Sequence, residues 1–140
     1  MNKCVTVSSD RLRQIPLFSE LSDDGLRSVA EIASEVEVPG GQVMTRPYDP
    51  GLGMFVVEEG NVVVELDDRQ VKLGPGDFFG ELALLIPDGI RVARVRAETD
   101  VRCLAIPRDD FAKLLQAEPA ISVAMLPVLA RRLADEIRSR

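Results

Sequence analysis

Gly74-Pro75-Gly76-Asp77-Phe78-Phe79-Gly80-Glu81-Leu82-Ala83-Leu84-Leu85, followed after a short turn by Arg91-Val92-Ala93, is the stretch that decides the fold of this chain. It sets a glycine-rich turn, an acid, a short apolar helical turn and an arginine close together. A turn that opens into a helix leaves its first backbone N–H groups without partners, and such groups suit a phosphate. A carboxylate accepts hydrogen bonds from sugar hydroxyls. A guanidinium forks onto phosphate oxygens. One short segment therefore has the parts to hold a small nucleotide by phosphate and ribose together.

Outward from this stretch, short runs rich in Val, Phe and Leu alternate with turn residues. The runs are 42–46, 53–58, 61–66, 70–73, 91–98 and 101–106. Their separators include Glu59-Gly60, Asp67-Asp68-Arg69, Pro87-Asp88-Gly89 and Thr99-Asp100. Many short strands at such spacing predict an antiparallel barrel, sandwich or jelly roll. In a strand over 91–98, Arg91, Ala93, Val95 and Ala97 share one face, and Val92, Arg94, Arg96 and Glu98 the other. The first face is small and apolar and should point inward. An inward arginine needs a counter-charge, which is either Glu81 or a bound anion. Taken alone, Glu81 reads first as a capping acid at a helix start. Asp77 reads as a turn residue, Phe78 and Phe79 as core, and Arg94 and Arg96 as a solvated face.

Helices flank this β unit. Ser8 caps a short helix ended by Pro16, and Ser22 caps a second in which Leu26, Val29, Ile32 and Ala33 fall at helical spacing. Asp109-Asp110 caps a helix through Ala117. After Glu118-Pro119, the residues Ile121, Met125, Leu129, Leu133 and Ile137 repeat every four positions, predicting an amphipathic helix to the end of the chain, kinked at Pro127. The expected organisation is one domain: a helical preface over about 8–38, a β unit over about 39–107 and C-terminal helices over about 108–140.

Composition excludes several chemistries. The 140 residues carry a formal net charge of -6 and a pI near 4.7, against non-specific nucleic-acid binding. Histidine is absent, so neither a His metal site nor a Ser-His-Asp triad can be built. Cys4 and Cys103 lack metal-site or redox-motif spacing and read as reduced thiols. No metal, no catalytic residues and no membrane span are expected, and a cytoplasmic location is the default.

Here the chain resembles a family. Residues 76–84 together with Arg91-Val92-Ala93-Arg94-Val95 are similar to the phosphate-binding cassette of cyclic nucleotide-binding domains. Pro16-Leu17-Phe18, the run Phe55 to Val64 with its Glu59-Gly60 turn, and Ala130-Arg131-Arg132-Leu133 resemble other parts of the family, the last the bacterial cAMP receptor protein branch. The resemblance implies a mostly β fold with flanking helices, a cyclic nucleotide-binding β-roll of jelly-roll type. It implies a ligand site at Gly80, Glu81, Leu82, Ala83, Arg91, Val92 and Ala93. Glu81 would accept from the ribose 2′-hydroxyl, Arg91 would bind the cyclic phosphate, and backbone N–H groups around Leu82, Ala83 and Val92 would complete the cradle. Val92 stands where the family often carries Ser or Thr, which removes one aid to guanine recognition. The helix from Val128 onward would close over the nucleotide, with Asp135 or Glu136 facing the base; the bland alternative is that both acids are solvated.

The expected function is a stand-alone sensor of cAMP, with cGMP possible, acting without a cofactor. It would signal to an effector protein, or to its own copy, through the C-terminal helix, and would not bind nucleic acid directly. Two alternatives stay open: a relative silent in binding that serves as an interaction module, and the excised sensor of a longer transcription regulator.

Overall fold

The computed structural model describes residues 2–3, 7–45, 53–81, 85 and 93–138. The N-terminal part is helical, as its caps dictate. Ser8 Oγ accepts from the Arg11 N–H at 3.2 Å and opens α1 (Ser9–Arg13). A short 3-10 turn, Pro16–Phe18, follows. Ser22 Oγ accepts from the Gly25 N–H at 3.1 Å and opens α2 (Asp23–Ile32).

Nine strands are present among the described residues: β1 (Asn2–Lys3), β2 (Ser34–Val38), β3 (Val43–Thr45), β4 (Gly53–Glu59), β5 (Val62–Glu65), β6 (Gln70–Leu73), β7 (Phe78–Phe79), β8 (Arg94–Ala97) and β9 (Val101–Pro107). They form two antiparallel sheets, one ordered β1-β2-β9-β4-β7 and the other β3-β8-β5-β6. Strand β2 lies inside the stretch expected to be helical preface, so the β unit begins earlier than its sequence suggested. Ser34-Glu35-Val36-Glu37-Val38 alternates with period two, and its pairing with β9 rewards that alternation over helix.

Alternation also explains why there are two cores. On β4, Met54 and Val56 face the helices while Val57 faces the other sheet; on β9, Leu104 and Ile106 face the helices while Val101 and Cys103 face inward. One core joins the first sheet to Leu12, Phe18, Leu26, Phe111, Ile121 and Met125 of the helical layer. The other fills the space between the sheets with Val38, Val62, Leu73, Phe79, Val95 and Ala97. Burial of this apolar surface is the main stabilising term. Phe78 and Phe79 belong to opposite cores, which fixes β7 and therefore the start of the segment that follows it.

Two helices close the chain. α3 (Arg108–Ala117) begins at Pro107 without a side-chain cap; Asp109 and Asp110 lie in its first turn, where the helix dipole favours them, and not at the cap position. α4 (Pro119–Arg138) turns 107° away from α3 and runs through Pro127 as one element. Among the described residues no single helix is long and apolar enough to cross a membrane.

A charged cluster ties the helical layer to the sheet. Arg11 of α1 pairs with Glu35 of β2 and Glu58 of β4, its Nε donating to Glu58 Oε2 at 2.7 Å. The bond to Glu58 above all, then Glu35, holds the guanidinium well above its ordinary pKa despite burial.

Candidate functional site

The site is built around the end of β7. Gly76 adopts φ +90, a left-handed conformation open to glycine, and its N–H donates to the Val57 carbonyl at 2.8 Å. Asp77 serves the turn, as its sequence suggested: its Oδ2 accepts from the Gly74 N–H at 2.9 Å. Phe55 of β4 stacks on Phe79, ring centres 5.1 Å apart. After β7 the chain turns sharply at Gly80, φ +89. That turn delivers Glu81, which is only 3% exposed. The Leu85 N–H donates to the Glu81 carbonyl at 2.9 Å, and Leu85 is itself helical.

Leu82, Ala83, Arg91 and Val92 lie outside the described residues. Ala93, which follows them, is half-buried, and its carbonyl accepts from Thr45 Oγ1 at 3.1 Å. Thr45, itself buried, thus pins the chain where it re-joins the sheet. From there the expected parity holds: Val95 and Ala97 point inward, and Arg94 and Arg96 lie on the outer face with Glu65 at 3.2 and 3.5 Å.

The C-terminal helix brings in a residue to which the sequence reading gave no place in the site. Arg132 of α4 reaches the sheet: its Nη2 donates to the Phe78 carbonyl at 2.7 Å, its Nη1 lies 3.5 Å from Glu81 Oε1, and its guanidinium sits 4.6 Å from the centre of the Phe78 ring. One turn on, Glu136 pairs with Arg69 in the β5–β6 turn. Asp135 is 61% exposed and lies 3.9 Å from Arg138 on the outer surface.

The signal for Arg132 was present in the helix itself. A residue spacing of four advances about 40° beyond a full turn at each step. The stripe Ile121, Met125, Leu129, Leu133, Ile137 therefore spirals off one face. Ile121 and Met125 are buried and Leu129 is half-buried, whereas Leu133 and Ile137 are each 62% exposed. The amphipathic stripe expected to run to the end of the chain thus divides, and in its second half the sheet-facing positions pass to Arg132 and Glu136.

Among the described residues no group of His, Cys, Asp and Glu is arranged to hold a metal ion. Cys103 is a free thiol in the core between the sheets, and burial, then the Glu58 charge, pushes its pKa up to about 12.

The family model described as cyclic nucleotide-binding domain matches residues 35–118. A cyclic nucleotide-gated potassium channel of Rhizobium etli is 38% identical over 108 residues, covering 77% of this chain and 30% of the channel. A cAMP-dependent protein kinase regulatory subunit of Emericella nidulans is 35% identical over 107 residues, covering 74% of this chain and 26% of that subunit. The chain thus spans less than a third of either relative. The crystal structure of Thermus thermophilus catabolite activator protein superposes with a TM-score of 0.74 at 28% identity, covering 89% of this chain and 61% of that one.

Proposed function

This chain belongs to the cyclic nucleotide-binding domain family, and from that premise we propose that it is a regulatory, non-catalytic sensor of cAMP. The observation that carries this reading is Glu81, a carboxylate 3% exposed and delivered by a left-handed glycine. Its side chain accepts from the ribose 2′-hydroxyl. Arg91 forks onto the cyclic phosphate, and the backbone N–H groups of Leu82, Ala83 and Val92 complete the cradle. Gly80 and Ala93 frame this segment at either end.

Two features favour cAMP over cGMP. Val92 offers no side-chain hydroxyl to guanine. A carboxylate at the base would favour guanine, whose N1–H and N2 amino group can both donate to it, but of the two acids expected there Glu136 is engaged with Arg69 and Asp135 faces outward. The Emericella relative, named as cAMP-dependent, supports the same choice.

The signal leaves through α4, which closes on the nucleotide. Its outer face carries Val123, Leu126, Leu133 and Ile137, each between 62% and 67% exposed, with Ala130 completing a 3-4-3-4 spacing. That spacing is the seam of a coiled coil and fits a second copy of this helix. The buried free thiol of Cys103 suits a reducing compartment, the cytoplasm.

The contact between Arg132 and Glu81 supports a second reading, in which the acid is a structural tie and the fold serves only as an interaction module. Calorimetric titration with cAMP and cGMP separates the two. The sensor reading expects saturable heat with cAMP and weaker binding of cGMP; the second expects heat with neither.

A further inference from the structure

Among the described residues the buried polar side chains are Glu81 and Thr45. Glu81 lies at the start of the segment proposed to hold the nucleotide, and Thr45 meets its far end. Thr45 is the last residue of β3 and pairs with the inward-facing Val95 of β8. The register of β3 against β8 shifts between Val43 and Thr45, an irregularity of the kind that re-aims a side chain. Its Oγ1 donates to the Ala93 carbonyl at 3.1 Å, across forty-eight residues of chain. A valine would fill the same space without burying a hydroxyl, whose cost is offset only by a bond. The bond to Ala93 is therefore what the threonine contributes. Arg94, the next residue, is already paired with Glu65 of β5, so Thr45 extends the hold of the sheet one residue beyond β8. Ala93 follows Arg91 by two residues and Val92 by one, so whatever fixes its peptide limits where both can stand.

Resting on the reading of Arg91 as the phosphate ligand, we propose that Thr45 is a positioning residue for phosphate recognition. Its hydroxyl anchors the outgoing arm of the segment, so that the Arg91 guanidinium and the Val92 N–H meet the cyclic phosphate already oriented. Orientation set before binding lowers the ordering cost of association and so raises affinity. The left-handed Gly80 sets the incoming arm at Glu81, and Thr45 is its counterpart on the outgoing side. Val92 carries no hydroxyl of its own, which leaves the hold on this arm to a residue of another strand.

The test is calorimetric titration of the full chain with cAMP. It uses the natural sequence, Thr45→Val, Thr45→Ser, Arg91→Ala and the double variant of Thr45→Val with Arg91→Ala, each shown folded by circular dichroism. Thr45→Val should weaken cAMP binding about three- to tenfold, the range of one neutral hydrogen bond. Thr45→Ser keeps the hydroxyl and should restore most of that loss. In the Arg91→Ala background Thr45→Val should cost less than about twofold, because the arm it orients no longer carries the charge. Should Thr45→Val not fold, the pair Thr45→Ser and Thr45→Ala, which differ only in the hydroxyl, carries the same expectation. Natural affinity in folded Thr45→Val, no recovery in Thr45→Ser, or a full loss repeated without Arg91 overturns the positioning role and leaves the phosphate reading standing. An Arg91→Ala that binds as the natural chain does overturns the phosphate reading and this proposal with it. A natural chain that binds no cAMP overturns the proposed function as well.

Discussion

Glu81 meets two demands at once. It is buried directly after the Gly80 turn, where a carboxylate is well placed for structural reasons, and it is the acid proposed to accept from the sugar. The two roles separate by experiment: Glu81→Ala should weaken cAMP binding by about tenfold or more while changing affinity for the 2′-deoxy analogue much less. Equal losses for both ligands would make the acid a cap. Cys103 allows a sharp test of the core. Its thiol is raised from 9.0 to about 12 by burial and by Glu58, so the folded state favours the neutral thiol. This contribution to stability is therefore whole below about pH 9 and is lost as pH rises toward 12. Denaturant unfolding of the natural chain and Cys103→Ala should show a steeper loss in the former across that range; identical slopes would place the thiol in a wetter setting. Of the site, Glu81, the Gly80 turn and the role of Asp77 were legible because local chain geometry fixes them. Arg132 was read only as part of the resemblance at Ala130 to Leu133 and given no place in the site, because its partner lies fifty-one residues away and only the drift of a four-residue spacing betrays which way it faces.

At the scale of elements, α4 is the part with the most to do. Its first half is anchored by Ile121 and Met125 and its second by Arg132 and Glu136, polar ties that form and break more readily than an apolar seam. Pro127 stands between the halves and supplies no N–H to the Val123 carbonyl. Hydrogen exchange should therefore show residues 128–138 gaining protection on addition of cAMP, with little change in 119–126. Unchanged protection at saturation would send the signal out by another element. The outer seam makes a separate prediction: Leu133→Glu should abolish self-association in sedimentation velocity without altering nucleotide affinity by more than about twofold. A natural chain that sediments as a monomer with and without cAMP would remove the second copy and leave a different protein as the partner. Strands were legible where Val, Phe and Leu cluster between turn residues. β2 was missed because it directly follows a strong helical pattern at Leu26 to Ala33, and β7 because two residues carry no period.

For the molecule as a whole, the β-roll and its flanking helices were readable because each local preference agrees with the tertiary one: capped helices, alternating strands and turn residues at the joints. The division into two cores was less so, since it depends on which face of β4 and β9 meets the helices, and parity alone does not name the neighbour. The acidic balance of the chain, -6 overall, makes any affinity for a small anion depend on local cations, and Arg91 is the cation proposed for that role. The most direct measurement is calorimetric titration of the natural chain and Arg91→Ala with cAMP. Saturable binding that weakens by about tenfold or more in a folded Arg91→Ala is the expected result. Equal affinity in the two proteins, or no heat from the natural chain, would contradict it.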